Sequence, residues 1–189
     1  MKPKLHIIIC STRPGRQGPK IAEWFHGFAK AHGKFDAVLI DLAELNLPVF
    51  DEPKHPRLKQ YENQHTKEWS ASVEAADTFV FVTPEYNYSP PPAFFNAVTY
   101  LASEWHYKAA AILSYAGVSG GLRAAQIARL QLSNMRMVAI PEGIPVPSFT
   151  QFFDEAGAFK PNDLIMASAT TVLDELDRWT AGLKTIRSA

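Results

Sequence analysis

The residues with the clearest capacity for chemistry follow an apolar segment close to the start of the chain. This segment, Leu5 to Cys10, is mostly apolar and contains three consecutive β-branched isoleucines, which is typical of a strand covered on both faces. It stops at a polar loop, residues 11–18, and a helix is predicted to begin at about Pro19 with Gly18 as its N-cap. A strand, a short loop and a helix N-terminus bring free backbone N–H groups and a positive dipole end together. The sequence therefore predicts an anion-binding loop here.

The side chains of this loop suit a phosphate group. A hydroxyl, two guanidinium groups and an amide could donate hydrogen bonds to it, from Ser11, Arg13, Arg16 and Gln17. Taken alone, the basic residues would fit a solvated turn equally well. The glycine-rich dinucleotide motif and the phosphate-loop motif of nucleotide hydrolases are both missing from the sequence, so the loop belongs to neither class.

Cys10 and Arg16 raise a competing interpretation. Their spacing, between a strand and a helix, resembles the phosphate loop of the low-molecular-weight tyrosine phosphatases, in which the cysteine is the nucleophile. That family carries Ser or Thr directly after the arginine, where this chain has Gln17, and uses an Asp-Pro pair that this sequence lacks. The plainer interpretation of Cys10 is a small apolar residue that closes a strand.

Length and composition indicate one globular domain, residues 1–189. Lys+Arg and Asp+Glu both number 19, so the net charge of zero gives no support to nucleic acid as a partner. One cysteine fits a reducing compartment, and no apolar stretch has the length of a membrane span, so we predict a cytoplasmic protein without membrane contact. The six histidines lack the spacing of metal ligands, so no metal site is predicted.

Predicted strands alternate with predicted helices along the chain. The strands are expected at residues 5–10, 35–42, 78–83, 109–115 and 137–140. Helices are expected to begin at about residues 19, 60, 89, 124 and 162, and prolines predict irregular segments over 43–57 and 141–160. This alternation predicts a doubly wound α/β fold, with a five-stranded parallel sheet in the order 2-1-3-4-5 and helices on both faces. The ligand crevice of such a sheet lies at the carboxyl ends of strands 1 and 3.

Unusual residues follow the third and fourth predicted strands, next to this crevice. An aromatic and amide-bearing loop, PEYNYS at residues 84–89, follows the third strand, and a glycine-rich loop, residues 114–121, follows the fourth. With the phosphate loop after the first strand, they predict a site for a flat heteroaromatic phosphate ester.

The three loops together resemble those of the NADPH-dependent FMN reductase family, whose members have a flavodoxin-like fold. The likeness runs from about Lys4 to Ile140, with the motifs in the same order. It implies that the first loop holds the FMN phosphate and that the other two border the isoalloxazine ring. Tyr88 and Phe95 depart from the family pattern, which bears on substrate access and on the subunit interface. The candidate FMN-binding residues are Ser11, Arg13, Arg16, Gln17, Gly18, Pro84, Glu85, Tyr86, Asn87, Ser114, Tyr115 and Gly117.

The resemblance also implies an activity. FMN would accept hydride at N5 from NADPH or NADH and, after the nicotinamide leaves, pass electrons to a second acceptor such as a quinone, a flavin, an azo compound or a metal oxyanion. The flavin carries this chemistry, so no catalytic protein residue is predicted. An FMN electron carrier without direct NAD(P)H reduction is the alternative, although such carriers tend to be strongly acidic. Aromatic residues between Ser89 and Tyr107, and the apolar loop from Leu47 to Pro56, predict a homodimer or homotetramer.

Overall fold

The computed structural model describes residues 1–187, which contain a five-stranded sheet. All neighbouring strands are parallel and their order is β2-β1-β3-β4-β5, so the predicted topology is confirmed. Every residue of the third and fourth strands is buried, as expected for strands covered on both faces. The strands are β1 (Lys4–Ile9), β2 (Asp36–Asp41), β3 (Thr78–Pro84), β4 (Ala109–Tyr115) and β5 (Val138–Val146).

Helices cover both faces of the sheet. One face carries α1 (Gly18–His32) and α6 (Asp163–Arg187), whose core includes Phe25 and Leu176. The other face carries α3 (Gln64–Ala75), α4 (Pro92–Thr99) and α5 (Leu122–Asn134), and the four-residue α2 (Leu42–Leu45) follows β2. The order of the strands reverses between β1 and β3, so the loops at their carboxyl ends diverge and leave a crevice.

Three predicted boundaries are wrong. The helix expected from about residue 60 begins at Gln64, and prolines explain the other two differences. The predicted helix at Ser89 begins instead at Pro92, because a residue that precedes a proline is disfavoured in the helical region, and Ser89, Pro90 and Pro91 all precede one. The fifth strand continues to Val146 through Pro141 and Pro145, where an irregular segment was predicted. Because β5 lies at the edge of the sheet, a missing N–H there does not break a ladder on both sides.

Aromatic residues that pointed to an oligomer in the sequence are in part buried within one chain. Phe94, Tyr100 and Trp105 are at most 1% exposed, so these aromatic residues belong to the core of one chain. The loop after α2 has intrachain partners as well, because the Tyr100 hydroxyl donates to the Pro48 carbonyl at 3.0 Å and the Phe50 ring lies 5.2 Å from the Tyr100 ring. These residues therefore leave no unpartnered aromatic surface.

The described residues provide neither a membrane-spanning helix nor a metal-binding cluster. Among the helices of residues 1–187, none is long and apolar enough to cross a membrane. Over the same residues, His, Cys, Asp and Glu side chains form no group of three that could hold a metal ion.

Candidate functional site

Ser11 lies buried at the start of the loop that joins β1 to α1. It is 1% exposed, and within the described part of the chain its Oγ has no hydrogen-bond partner. Gly18 brings the start of α1 unusually close: a Cβ at this position would lie 2.4 Å from Ser11 Oγ and 2.9 Å from the Tyr115 hydroxyl oxygen. Because an unpaired buried hydroxyl is costly, we expect a hydrogen-bonding ligand at this point.

Tyr115 lies close to the same point beside Gly18 as Ser11 does. Burial raises the pKa of its phenol. The phenol therefore keeps its proton at neutral pH. Its ring packs edge-on against Phe149 with a centroid separation of 5.2 Å, which fixes the side chain behind the loop.

Arg16 is already engaged within the chain. Its guanidinium donates to both carboxylate oxygens of Asp41, at 2.6 and 2.7 Å, and to the Ser11 carbonyl at 2.8 Å. Asp41 raises the pKa of Arg16, and the same carboxylate caps α2 by accepting from the Ala43 N–H at 2.9 Å. In this structure Arg16 stabilises the loop by linking the Ser11 carbonyl to Asp41. Sequence reasoning overlooked Asp41 as its partner.

Arg13 and Gln17 occupy the outer side of the loop. Arg13 is exposed, has no carboxylate partner among residues 1–187, and donates from Nε to the Tyr86 hydroxyl at 3.2 Å. Gln17 donates to the Gly15 carbonyl at 3.1 Å, and it occupies the N-cap position that was predicted for Gly18. Arg13 therefore connects the phosphate loop with the loop that follows β3.

Cys10 is unsuited to act as a nucleophile. Its side chain is fully buried and its thiol donates to the Ile8 carbonyl at 3.6 Å. Burial, and then the charge of Asp41, raise the pKa of this thiol, so a thiolate is disfavoured at neutral pH. With Arg16 held by Asp41 as well, the phosphatase interpretation is wrong.

The loop after β3 contains a tight two-residue turn. Tyr86 and Ser89 exchange backbone hydrogen bonds of 2.8 and 3.0 Å, while Asn87 and Tyr88 both have positive φ angles, 48° and 67°. Asparagine adopts this conformation readily, whereas a tyrosine there stores strain on the order of 1 kcal/mol. The turn leaves Tyr88 60% exposed beside the crevice. Such strain is typical of a functional segment.

Glu85 joins the second and third loops. Its carboxylate accepts from Ser119 Oγ at 3.2 Å, from the Arg123 N–H at 3.1 Å and from Arg123 Nε at 2.7 Å, so it also caps the N-terminus of α5. The Arg123 guanidinium in turn lies 3.8 Å from the centre of the Tyr88 ring. Sequence reasoning missed Arg123, because no local pattern pairs a carboxylate in the second loop with an arginine at the start of α5.

Glu85 gives a pH-dependent prediction. Burial raises its pKa, but hydrogen bonds from Arg123, the Ala124 N–H and Ser119 more than offset this, so the pKa lies below its usual range. A lowered folded pKa stabilises the fold above the unfolded value of about 4.3, and this contribution disappears as pH falls through the folded pKa. We expect Glu85→Gln to lower the free energy of unfolding at pH 7 by about 1 to 2 kcal/mol.

Urea unfolding at a series of pH values checks this prediction. The difference between wild type and Glu85→Gln should shrink as the pH falls below the unfolded pKa of about 4.3. Glu23→Gln, at an exposed position of α1, is the matched control and should change little at any pH. If the difference in free energy of unfolding stayed constant down to the lowest pH, the negative charge of Glu85 would not be the source of the stabilisation.

The third loop is held by its own backbone and by β5. Ser114 is buried and its Oγ donates to the Gly120 carbonyl at 2.8 Å, so its hydroxyl is occupied within the loop. The exposed Gly117 accepts from the Ser148 N–H at 2.7 Å. Gly121 has φ = 78°, and a Cβ there would lie 2.9 Å from the Tyr115 nitrogen, so glycine is required.

The structure thus brings the three predicted loops together at one edge of the sheet. Arg13 joins the first to the second through Tyr86, and the Glu85 N–H donates to the Tyr115 carbonyl at 3.2 Å, joining the second to the third. The buried Pro84 ends β3 beneath them. Of the predicted side chains, those of Arg16, Glu85 and Ser114 bind other parts of the chain.

A sequence model of the NADPH-dependent FMN reductase family matches residues 3–151. The chain belongs to this family. It is similar to the NAD(P)H-dependent FMN reductase ntnL of Nectria sp., with 36% identity over 151 residues that cover 76% of this chain and 75% of that protein. It is also similar to the NAD(P)H-dependent FMN reductase LOT6 of Saccharomyces cerevisiae, with 32% identity over 163 residues that cover 76% and 85%.

Solved structures that share this fold agree with the flavodoxin-like prediction. The flavoenzyme NAD(P)H:(acceptor) oxidoreductase FerB of Paracoccus denitrificans superposes with a TM-score of 0.74 at 18% identity, covering 95% of this chain and 98% of that one. An NADH:FMN oxidoreductase in its apo form superposes with a TM-score of 0.69 at 18% identity, covering 93% and 89%. At these identities the likeness concerns the fold.

As a member of this family, the FMN reductase is an oxidoreductase that uses FMN and NAD(P)H. The residues at the phosphate loop fit FMN. The orphaned Ser11 hydroxyl is buried beside the N-terminus of α1, and the absence of a Cβ at Gly18 keeps this space open. A phosphate would supply the acceptor that Ser11 lacks within the described residues.

Proposed function

We propose that this FMN reductase works in the cytoplasm and passes electrons from NADPH or NADH to a small-molecule acceptor, with the two substrates binding in turn. An open groove of about 740 Å³ beside the second loop carries this proposal. Flat ring systems favour grooves of this kind, which are mostly apolar with a few polar groups. The groove is bordered in part by Leu47, Val49, Tyr86, Asn87, Pro90 and Phe95.

The cofactor and the chain would divide the work. Bound FMN supplies a hydride acceptor at its N5 and later releases the electrons. Ser11 and the N-terminus of α1 would bind its phosphate, while the linked second and third loops would orient its ring. The hydrogen bonds of Arg13 and Glu85 hold these loops together, which would lower the cost of ordering them around the cofactor.

Tyr86 and Tyr88 would shape the side on which substrates enter. Tyr86 borders the groove and is held by Arg13, whereas Tyr88 is exposed and held by the stacked Arg123. Two aromatic rings in fixed positions offer stacking surfaces to a nicotinamide and to a planar acceptor alike. A site that accepts both in turn needs no separate acceptor pocket.

Two observations disfavour the electron-carrier alternative. The chain has a net charge of zero, whereas FMN electron carriers tend to be strongly acidic. Its relatives from Nectria sp. and Saccharomyces cerevisiae are NAD(P)H-dependent reductases. Direct reduction by a nicotinamide is therefore the better supported activity.

Initial-rate measurements test the order of binding. With NADPH and a quinone varied together, double-reciprocal plots should give parallel lines, since the oxidised nicotinamide leaves before the quinone binds. The same assay with an azo dye, free FMN and chromate would rank the acceptor classes. Intersecting lines for every acceptor would show that both substrates are bound at once. This result would contradict the proposal that they occupy one groove in turn.

We also propose a homodimer or homotetramer, whose interfaces involve helices α5 and α6. Exposed apolar side chains lie on opposite faces of the sheet, as Leu122 and Leu130 of α5 and as Leu164 and Trp179 of α6. A dimer would bury one of these patches, and a tetramer would bury both. Light scattering of the FMN-loaded protein should give two or four times the 21.0 kDa chain mass, whereas a monomer mass would contradict the proposal.

A further inference from the structure

A second cavity lies on the face of the sheet that α3, α4 and α5 cover, away from the phosphate loop. It has a volume of about 800 Å³ and lies between the segment 50–57, the last residue of α4 and the C-terminal end of α5. We call it the basic cleft, because five of its lining residues are basic: Lys54, His55, Arg57, His106 and Arg136.

The carboxylates near the basic cleft are occupied elsewhere. Glu52, which lines it, accepts from the backbone N–H groups of Glu62 and Asn63 at 2.8 and 3.0 Å. The buried Glu104 accepts from the Tyr61 hydroxyl at 2.8 Å and from Ser70 Oγ at 2.7 Å. These contacts fix the walls of the cleft, and within residues 1–187 neither carboxylate pairs with Arg57 or Arg136. Lys54, in contrast, pairs with Glu62 at 3.6 Å.

Two arginines in the basic cleft keep their charge uncompensated. Within residues 1–187, neither Arg57 nor Arg136 forms an ion pair, and both are exposed. The only side-chain contact recorded for Arg136 in this part of the chain is with the Tyr107 hydroxyl, at 3.3 Å. The pKa of the neighbouring His106 is lowered by burial and then by Arg136, against the opposing effect of Glu104, which agrees with a positive potential. Guanidinium groups in such a place suit a phosphate, which they can bind in a bidentate manner.

The basic cleft lies next to the groove beside the second loop. Thr99 borders both cavities. The chain from Leu47 to Arg57 runs past both, lining the groove at Leu47 and Val49 and the basic cleft from Phe50 onward. The two ends are separated by the eight residues of α4, a rise of about 12 Å. A ligand with a flat ring beside Tyr86 and a negatively charged tail could lie along α4 and reach Arg57.

We propose that the basic cleft binds the adenosine end of NADPH and that Arg57 and Arg136 contact its 2′-phosphate. This inference rests on the proposed function, because it takes the nicotinamide end to lie in the groove. The 2′-phosphate is the anionic group at the far end of NADPH and is missing from NADH. Arg57 and Arg136 are therefore specificity-determining residues that favour NADPH over NADH.

Calorimetric titration of the FMN-loaded protein tests this directly. The probes are adenosine 2′,5′-bisphosphate, AMP as the analogue without the 2′-phosphate, and inorganic phosphate. The bisphosphate should bind at least about tenfold more tightly than AMP, and Arg57→Gln and Arg136→Gln should each weaken it by about tenfold without affecting AMP. Arg178→Gln, which removes an exposed charge from α6 on the opposite face of the sheet, is the matched control and should change nothing.

Three results would overturn the proposal: equal affinity for the bisphosphate and AMP, retained bisphosphate affinity in both arginine variants, or inorganic phosphate binding as tightly as the bisphosphate. A lower melting temperature for Arg136→Gln, with unchanged bisphosphate affinity, would show that Arg136 only stabilises the fold just after α5. Steady-state kinetics add a second readout, since the variants should raise the KM for NADPH and leave that for NADH unchanged. Failure of both nucleotides to reduce the flavin would refute the proposed function instead, because the titration does not depend on turnover.

Discussion

Replacing Gly18 by alanine is expected to weaken FMN binding by about 10- to 100-fold while the protein still folds. The new Cβ would lie 2.4 Å from Ser11 Oγ and 2.9 Å from the Tyr115 hydroxyl oxygen. The Ser11 side chain must therefore rotate, and its hydroxyl would turn away from the position expected for the FMN phosphate. Losing a hydrogen bond to a charged group costs about 1.5 to 3 kcal/mol, which corresponds to this range of affinity. Quenching of FMN fluorescence during titration of the apoprotein measures the change.

The controls for Gly18→Ala lie in the same loop and helix. A Cβ at Gly27, also in α1, meets no atom within 4 Å, so Gly27→Ala should leave FMN affinity unchanged and slightly stabilise the helix. Ser11→Ala should weaken FMN by a similar factor, and the double variant should be little worse than either single one, because both remove the same contact. Additive losses would show that Gly18 does not act through Ser11.

The second large effect is expected at Asp41. Asp41→Asn keeps the size of the side chain but leaves the charge of Arg16 without its counterion, where both side chains are mostly buried, at 11% and 19% exposure. Breaking a fully buried ion pair costs about 3 to 5 kcal/mol, and the partial exposure of this one lowers the expected loss to about 2 kcal/mol. For a chain of this length the melting temperature should fall by roughly 4 to 8 °C.

Asp41→Asn should also weaken FMN binding, because Arg16 holds the Ser11 carbonyl at 2.8 Å. Thermal unfolding and FMN titration of the same preparation measure the two effects. Asp36→Asn, an exposed position at the other end of β2, is the control and should change neither. An unchanged melting temperature in Asp41→Asn would mean that Arg16 does not depend on this carboxylate.

The sequence allowed the sheet order and the three loops to be predicted because both depend on local patterns. Continuous apolar runs and their alternation with helices are visible along the chain, and parallel strands place their carboxyl ends at one edge. The extension of β5 through Pro141 was missed because a proline breaks an interior strand but is tolerated at an edge, and edge position depends on the whole fold.

The partners of the loop side chains could not be predicted, because they come from distant parts of the chain. Arg16 and Asp41 are 25 residues apart and meet because β1 and β2 pair in a register that aligns Ile9 with Asp41. Glu85 and Arg123 are 38 residues apart and meet through the β3–β4 pairing. A pattern of residue types shows that a loop carries charge, but only the register shows which charges neutralise each other.

The most direct test of the proposed activity is the visible absorption spectrum of the FMN-loaded protein under anaerobic conditions. A bound-flavin spectrum should appear when FMN is added, and it should bleach on addition of NADPH or NADH before any acceptor is present. Return of the bands when a quinone follows would complete the cycle. Flavin that binds at the Ser11 loop but stays oxidised with both nucleotides would contradict the account.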